Sequence, residues 1–188
     1  MGKLLNLSVV EFIMIKLAPL AKLNFKTTVG VISLCANASG ISHLSFVPQT
    51  GDGWQTREVL LDASNEKESI SLAEAHLKQA KKELLEYLAG ERQLFTVALA
   101  PQGTEFQQQV WHSLSQLGYG STCSYAHIAD KIGRPKAVRA VGTANGANPI
   151  AIIVPCHRVI GKNGKLTGYA YGLSLKQKLL QLEGISVV

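Results

Sequence analysis

The spacing of hydrophobic and polar residues divides the chain into a first half with strand-like patterns and a second half with helical ones. Between residues 23 and 47, short apolar and β-branched runs are broken by Asn37-Ala38-Ser39-Gly40, which predicts a β-hairpin or meander. Apolar residues at helical spacing follow Ser71, which has Glu74 at the capping-box distance, and end at Gly90. This pattern predicts a long helix beginning at Ser71, in a small domain that has no chemistry of its own.

Two more capping boxes open helices in the second half. Thr104 with Gln107 precedes an apolar helix face that ends before Gly118. Ser174 with Gln177 precedes the last apolar helix of the chain. Each pair predicts a helix that begins at the residue after the serine or threonine.

Between these two helices, the sequence predicts a pair of shorter ones. Ser124 can cap a helix over 125–131, and Gly133-Arg134-Pro135 turns the chain into a second helix over 136–146. Two short helices across a tight turn are typical of a helix-turn-helix, although helical pairs that never touch DNA also pack this way.

The second helix of this pair carries almost no bulk. Arg139 is the only long side chain in its middle, and its other residues include Ala137, Ala140, Val141, Gly142, Thr143, Ala144 and Gly146. A reader of the major groove needs several long polar side chains, whereas small residues permit close backbone approach. The helix therefore suits the minor groove, with Arg139 entering the base stack or contacting phosphate. Tight packing against its own domain is the alternative.

Composition narrows the class of protein. A chain of 188 residues with 46% hydrophobic and 17% charged residues is long enough for one large or two small folded domains. The net charge of +6 suits a polyanionic partner. Three cysteines without a Cys-x-x-Cys pair indicate neither a disulfide framework nor structural zinc, so we expect a cytoplasmic protein. Glu11 and Lys16 interrupt or bound the leading apolar segment, so we expect no signal peptide and no membrane span.

The strongest chemical signal is Pro155-Cys156-His157-Arg158, at the end of an apolar run. A thiolate is populated near neutral pH only where a base or positive charge favours it, and His157 and Arg158 are candidates for both. Taken alone, the stretch is equally compatible with a buried inert cysteine beside a surface histidine.

Glu183 lies at the end of the last helix, where a carboxylate is disfavoured by the helix dipole and calls for a cationic or hydrogen-bonding partner. His157 is the candidate partner, which would complete a relay of Cys156, His157 and Glu183. A solvated glutamate at the helix end is the alternative. The segment 168–172, in which glycines flank Tyr169 and Tyr171, is either a mobile loop that closes over a flat ligand or a packed surface loop.

Residues from about 104 to 184 resemble the catalytic domain of the O6-alkylguanine-DNA alkyltransferases, also called methylated-DNA–protein-cysteine methyltransferases. The matching stretches, in order, are Phe106-Gln107, Val110-Trp111, Ser124-Tyr125, 134–142, Asn148-Pro149, 153–159, Gly168-Tyr169 and 180–184. The first half resembles the family's N-terminal domain more loosely, through 28–30 and 41–46.

The resemblance implies an α+β protein in which a ribonuclease-H-like α/β domain precedes a mostly helical catalytic domain with a winged helix-turn-helix-like DNA-binding element. The change of pattern near residue 100 then divides the chain into an extension of uncertain role at 1–22, the ribonuclease-H-like scaffold at 23–100 and the catalytic and DNA-binding domain at 101–188.

The resemblance also implies a function. The protein would repair DNA by transferring a methyl or alkyl group from O6 of guanine, with O4 of thymine as a further candidate, to Cys156. The thioether has no easy route back to a thiol, so each molecule would act once. The implied partner is double-stranded DNA containing O6-alkylguanine; no cofactor, metal or membrane is implied, and we expect a monomer.

The family's mechanism implies that His157 would deprotonate Cys156 and that Glu183 would orient His157. Because neighbouring side chains on an extended backbone point to opposite faces, His157 would need a bridging water. Tyr125 would assist extrusion of the nucleotide and donate to the departing guanine, and Asn148 would brace the turn before the cysteine. Arg158 is left as a structural anchor of that turn.

The remaining site residues are also carried over from the resemblance. Arg139 would replace the extruded base from the minor groove. The other DNA-binding residues are Ala137, Ala140, Thr143 and Asn145, with Tyr125, and the pocket residues are Val159, Tyr169, Ala170 and Tyr171. Tyr171 stands where many relatives have glycine, so its ring either narrows the pocket or swings outward.

Three other functions are compatible with parts of the sequence. A non-catalytic protein of the same fold that binds alkylated lesions lacks the cysteine, so Cys156 argues against it. A Cys-His hydrolase would need an oxyanion hole and multiple turnovers. A major-groove regulator is disfavoured by the bare second helix.

Overall fold

The computed structural model describes residues 18–47, 57–59 and 67–186. An antiparallel sheet of four strands forms its first layer, in the order β3-β2-β1-β4. The strands are β1 (Ala21–Thr27), β2 (Gly30–Asn37), β3 (Gly40–Val47) and β4 (Arg57–Val59). The predicted meander is therefore confirmed. Most of the extension predicted at 1–22 lies outside the described residues.

Helix α1 (Lys67–Leu88) covers one face of this sheet. Its buried stripe recurs every three or four residues and consists of Ala73, Leu77, Ala80, Glu83, Leu84 and Tyr87. The predicted start at Ser71 is wrong, because the helix begins one turn earlier, at Lys67, and the side chain of Ser71 is exposed on its surface. A serine three residues before a glutamate is also an ordinary pair on one face of a helix, so the spacing alone does not mark a helix end.

The second half is mainly helical. Its elements are α2 (Glu105–Ser115), β5 (Cys123–Ser124), α3 (Tyr125–Lys131), α4 (Val138–Gly146), a 3-10 turn (Cys156–Arg158), β6 (Val159–Ile160) and α5 (Leu173–Leu182). The two short strands β5 and β6 pair in parallel. The predicted α+β class is confirmed, and so are the two short helices α3 and α4. Among the described residues, no helix has the length and apolar character needed to cross a bilayer.

Two of the predicted caps of the second half are confirmed and one is wrong. Thr104 and Gln107 form a reciprocal capping box at the start of α2, and Ser124 accepts from the His127 N–H at the start of α3. Helix α5, however, begins at Leu173 after Gly172, without a side-chain cap, so Ser174 lies inside its first turn. Gly172 has a φ of 88°, a left-handed conformation that glycine adopts without strain and that ends the preceding loop.

The two halves share one hydrophobic core and are joined along β3. Leu44 donates its N–H to Pro149 O at 2.8 Å, and Leu44 O accepts from the Ala151 N–H at 3.2 Å. Ile41 makes the equivalent bridge to Leu99. The free edge of the sheet therefore continues into the segment that leads to Cys156, which ties the position of the cysteine to the first domain.

Candidate active site

The turn before the cysteine is strained and is held by one asparagine. Ile152 has a φ of 68°, a left-handed conformation that is costly for a β-branched residue. The Asn148 side chain accepts from the Ile150 N–H at 3.0 Å and donates to Val154 O at 2.8 Å. Asn148 is itself buried, so these bonds are shielded from water. The structure thus places Asn148 across the turn that delivers Cys156.

Cys156 is 5% exposed and lines a cavity of about 260 Å³. Burial raises the pKa of its thiol, while a hydrogen bond from Asn148 and the charge of Lys176 act in the opposite direction. Because burial prevails, the thiol is protonated at neutral pH in the resting protein. Any reaction at this sulfur therefore needs a group that takes its proton.

His157 is buried behind the cysteine and is paired with Glu183. Its Nε2 atom lies 2.9 Å from Glu183 Oε1, and within the described parts of the chain its Nδ1 atom has no hydrogen-bond partner. Burial lowers the pKa of His157 despite the carboxylate beside it, so the imidazole is neutral at rest and available as a proton acceptor. The expected extended backbone at this point is wrong, because Cys156–Arg158 forms a 3-10 turn.

Glu183 is the C-cap of α5, and its carboxylate accepts hydrogen bonds from several side chains and one backbone N–H group. Arg158 donates to both of its carboxylate oxygens, at 2.9 to 3.1 Å, and also bonds Leu117 O at 2.6 Å. The Gly120 N–H donates to Oε2 at 3.2 Å. Burial opposes ionisation of this carboxyl, but hydrogen bonds from His157, Arg158 and Tyr87 prevail and lower its pKa to about 2. Glu183 is therefore a buried carboxylate whose charge is fully matched.

Three of the four predicted pocket residues line the cavity with Cys156: Tyr169, Ala170 and Tyr171. Tyr125 lines it too, and its hydroxyl accepts from Thr167 Oγ1 at 3.3 Å. Val159 is not among the lining residues. Val159 is fully buried in β6, the short strand that pairs with β5.

Helix α4 presents an exposed face made of Arg139, Ala140, Thr143 and Gly146, with Ala137 half-buried at its N-cap. The opposite face is pinned to the domain, since Trp111 Nε1 donates to Ala144 O at 2.8 Å. An added Cβ at Gly146 would meet no atom within 4 Å, so packing inside the protein does not explain the lack of bulk. Asn145, predicted on the DNA face, is instead buried, lines the cavity and donates to Cys156 O at 3.4 Å.

Two further residues of the site, Lys176 and Tyr87, were not predicted from the sequence. Lys176 is fully buried, and its Nζ atom donates to Val159 O at 2.6 Å and to Thr167 O at 2.8 Å. Burial lowers its pKa to about 8. Lys176 lies three and four residues before Leu179 and Leu180, on the apolar side of α5. This spacing in the sequence could have indicated that Lys176 is buried. Tyr87 of α1 donates to Glu183 Oε1 at 2.6 Å, a contact for which the local sequence carries no signal. No three His, Cys, Asp or Glu side chains of the described segments are grouped as metal ligands are.

Comparisons with known proteins agree with this architecture. The family model of the 6-O-methylguanine DNA methyltransferase ribonuclease-like domain matches residues 22–101, and that of the DNA binding domain matches residues 105–185. A methylated-DNA–protein-cysteine methyltransferase of Methanosarcina acetivorans is 46% identical over 85% of this chain and 96% of its own length. A constitutive one of Bacillus subtilis is 44% identical over 86% and 93%.

Among solved structures, that of the Mycobacterium tuberculosis O6-methylguanine methyltransferase is 42% identical and superimposes with a TM-score of 0.68, over 86% of this chain and 91% of its own. A second structure, of the M. tuberculosis protein in complex with DNA, matches with a TM-score of 0.69 at 42% identity, over 87% and 92%. The fold and the matched domains define a methyltransferase that combines a ribonuclease-like domain with a DNA-binding domain. The chain belongs to the 6-O-methylguanine DNA methyltransferase family, as its sequence predicted.

Proposed function

We propose that this chain repairs DNA by moving a methyl or larger alkyl group from O6 of guanine to the sulfur of Cys156, irreversibly and once per molecule. O4 of thymine is a further candidate donor. The observation that carries the proposal is a buried thiol on the wall of a cavity, with a hydrogen-bonded His157–Glu183 pair behind it and α4 residues in the same wall.

The first step is removal of the thiol proton. His157 is neutral and its Nδ1 atom has no protein partner in the described chain, so this atom receives the Cys156 proton. A bridging water carries the proton, as the mechanism of this family implies. Glu183 accepts from the other ring nitrogen and stabilises the imidazolium that forms. Because the pKa of the thiol is raised and the base is neutral, the sulfur is protonated at rest, and the thiolate forms as its proton moves to His157.

In the second step, the Cys156 sulfur attacks the alkyl carbon in line with its bond to O6. The new S–C bond forms as the C–O6 bond breaks, and the electron pair of that bond leaves on guanine. Tyr125, whose ring lines the cavity, donates a proton to the departing base. The products are unmodified guanine and a thioether, which has no leaving group for a return reaction.

The target base reaches the cavity by leaving the DNA stack. We propose that the exposed face of α4 lies in the minor groove, with Ala140, Thr143 and Gly146 permitting close approach of the backbone. Arg139, exposed on the same face, fills the space left in the stack. The protein is further proposed to act as a cytoplasmic monomer on double-stranded DNA that contains O6-alkylguanine.

Duplex DNA with a radiolabelled methyl group on O6 of guanine tests this function. The label on the protein should rise to one equivalent per molecule and stop there, even with excess DNA, while unmodified guanine appears in the duplex. Binding without transfer would instead favour a lesion-binding protein of the same fold. Many turnovers with an unlabelled protein would favour a hydrolase.

Arg139→Ala should slow repair of duplex by roughly 10- to 100-fold, because extrusion of the base then lacks the side chain that replaces it. Reaction with free O6-methylguanine should change little. Arg134→Ala is the control: it removes another exposed charge, from the turn before α4, whose guanidinium lies 5.5 Å from the centre of the Phe106 ring. It should only weaken binding, through loss of a phosphate contact. Equal losses on duplex and free base in Arg139→Ala would contradict the proposed role.

Tyr171 should limit the size of the alkyl group. Its ring packs edge-on against Phe46 with ring centres 4.9 Å apart, and it lines both the Cys156 cavity and a neighbouring cleft of about 450 Å³. Removing the ring in Tyr171→Gly would join the two spaces. We expect transfer from O6-benzylguanine to accelerate by about 10-fold or more, since a bulky group then fits without clash, whereas methyl transfer changes far less. An unchanged ratio of the benzyl and methyl rates would show that the ring does not restrict the pocket.

A further inference from the structure

One hydrogen bond crosses from the ribonuclease-like half to the charged pair behind Cys156. Tyr87, in the last turn of α1, donates its hydroxyl to Glu183 Oε1 at 2.6 Å, and both residues are buried. The same oxygen lies 2.9 Å from His157 Nε2. A residue of the first domain therefore shares an acceptor atom with the proposed base, across 96 positions of sequence.

The position of this hydroxyl is fixed by the packing of α1. The Tyr87 ring has Phe95 at 5.3 Å and Tyr119 at 6.1 Å between ring centres. One turn earlier, Glu83 accepts from the backbone N–H groups of Thr96 and Val97, which holds the end of α1 against the segment that follows it. The hydroxyl is thus held by a rigid element rather than by a flexible loop.

The chemistry of the contact is that of a neutral donor on a carboxylate. Burial and the charge of Glu183 raise the pKa of Tyr87, so the phenol keeps its proton and always donates. Each donor on a carboxylate oxygen reduces the negative charge available to the others. The Tyr87 hydroxyl therefore limits how strongly Glu183 Oε1 attracts the proton on His157 Nε2, as well as fixing where that oxygen lies.

We propose that Tyr87 is a positioning residue for alkyl transfer: its hydroxyl sets both the orientation of Glu183 and the basicity of His157, so that the ribonuclease-like domain takes part in the reaction. This inference rests on the proposed function of His157 as the base. Among the described residues, the other titratable or charged groups that act on Tyr87, His157 or Glu183, directly or through Cys156, include Cys156, Arg158, Lys176, Tyr119 and Tyr169.

The test compares Tyr87→Phe with Tyr119→Phe, a matched control. Tyr119 is the neighbouring ring, and its hydroxyl donates to the backbone at Leu182 O rather than to the carboxylate. In Tyr87→Phe, the proton on His157 Nε2 should shift downfield in the NMR spectrum, because Glu183 then holds it more strongly. The acid limb of the single-turnover rate should move up by about 0.5 to 1 pH unit, because His157 is then protonated at a higher pH. The plateau rate above that limb should fall several-fold, because Glu183 loses a contact that fixes its position. Tyr119→Phe should leave the Nε2 proton resonance and the acid limb of the rate at their positions in the unmodified protein.

A second substitution keeps the test decisive if Tyr87→Phe does not fold. Replacing Tyr87 with 3,5-difluorotyrosine keeps the shape and makes the hydroxyl a stronger donor, so the resonance and the acid limb should move in the opposite direction. Identical spectra and pH profiles in all these proteins would overturn the proposal. The NMR signal needs no substrate, so it decides the role of Tyr87 even if labelled DNA shows that the chain transfers no alkyl group.

Discussion

Cys156→Ser is expected to take up no label from a duplex containing O6-methylguanine, while still binding that duplex. The seryl hydroxyl has almost the same size as the thiol, so the cavity and the turn held by Asn148 should persist. A hydroxyl is far less acidic than a thiol and is a far weaker nucleophile toward an alkyl carbon near neutral pH. Transfer should therefore fall below detection, a loss of at least about 10⁴-fold.

The other two cysteines provide matched controls for this prediction. Cys35 and Cys123 are both half-buried, and burial raises the pKa of Cys123 to about 11. Neither lines the cavity. Cys35→Ser and Cys123→Ser should each retain one equivalent of label per molecule, and mass spectrometry should place the added methyl group on the peptide that contains Cys156. Label on Cys156→Ser, or its loss in Cys123→Ser, would identify a different acceptor.

Glu183→Gln should have the second largest effect, on rate and on stability together. The amide keeps the shape of the carboxylate but leaves Arg158 buried without its counter-charge, which costs roughly 3 to 5 kcal/mol in free energy of unfolding. His157 also loses the carboxylate that stabilises its protonated form. Alkyl transfer at pH 7 should slow by about 10² to 10⁴-fold, measured in single-turnover experiments at a temperature where the variant is fully folded.

The stability difference should depend on pH in a direction that follows from the pKa of Glu183. Its pKa falls from 4.5 to about 2 on folding, so the carboxylate stabilises the fold fully above pH 4.5, and this contribution is lost as the pH falls through 2. The shift corresponds to on the order of 3 kcal/mol. Urea denaturation of the unmodified protein should show this loss between pH 5 and 2, and Glu183→Gln should not.

Glu86 offers the matched control, since its carboxylate pairs with Arg92 at 2.7 Å but both side chains are partly exposed. Glu86→Gln should cost less than about 1 kcal/mol, because water solvates the charge that is left unpaired. A comparable loss of stability in both variants, or an unchanged transfer rate in Glu183→Gln, would contradict the assigned role of the buried carboxylate.

The first domain contributes more to the site than its composition indicated. Its sequence predicts a domain without chemistry of its own, yet β3 pairs with the segment before Cys156 through Leu44, and α1 supplies Tyr87. Both contacts join residues far apart in the chain. The architecture therefore places the cysteine and the carboxylate by means of a sheet edge and a helix end that belong to the other half of the molecule.

The features that could be predicted from the sequence alone depend on residues close to one another along the chain. The capping box at Thr104, the helix pair α3 and α4, and the adjacency of Cys156 to His157 are local patterns, and local hydrogen bonds and side-chain periodicity are enough to predict them. Glu183 at a helix C-terminus was also recognisable as a carboxylate in need of a partner.

Features that depend on contacts between residues far apart in the chain became visible only in the tertiary structure. Ser71 and Ser174 fit a capping pattern but lie inside helices, since a four-residue pattern cannot tell a helix end from a helix face. Asn145 faces the cavity, although it was predicted to be one of the DNA-binding residues of its helix. Burial raises the pKa of Cys156 and lowers that of His157, and hydrogen bonds from His157, Arg158 and Tyr87 lower the pKa of Glu183. Both effects arise only when separate elements pack together and exclude water. The candidate site residues could therefore be named from the sequence, whereas their electrostatic environment and the contact of the Tyr87 hydroxyl required the fold.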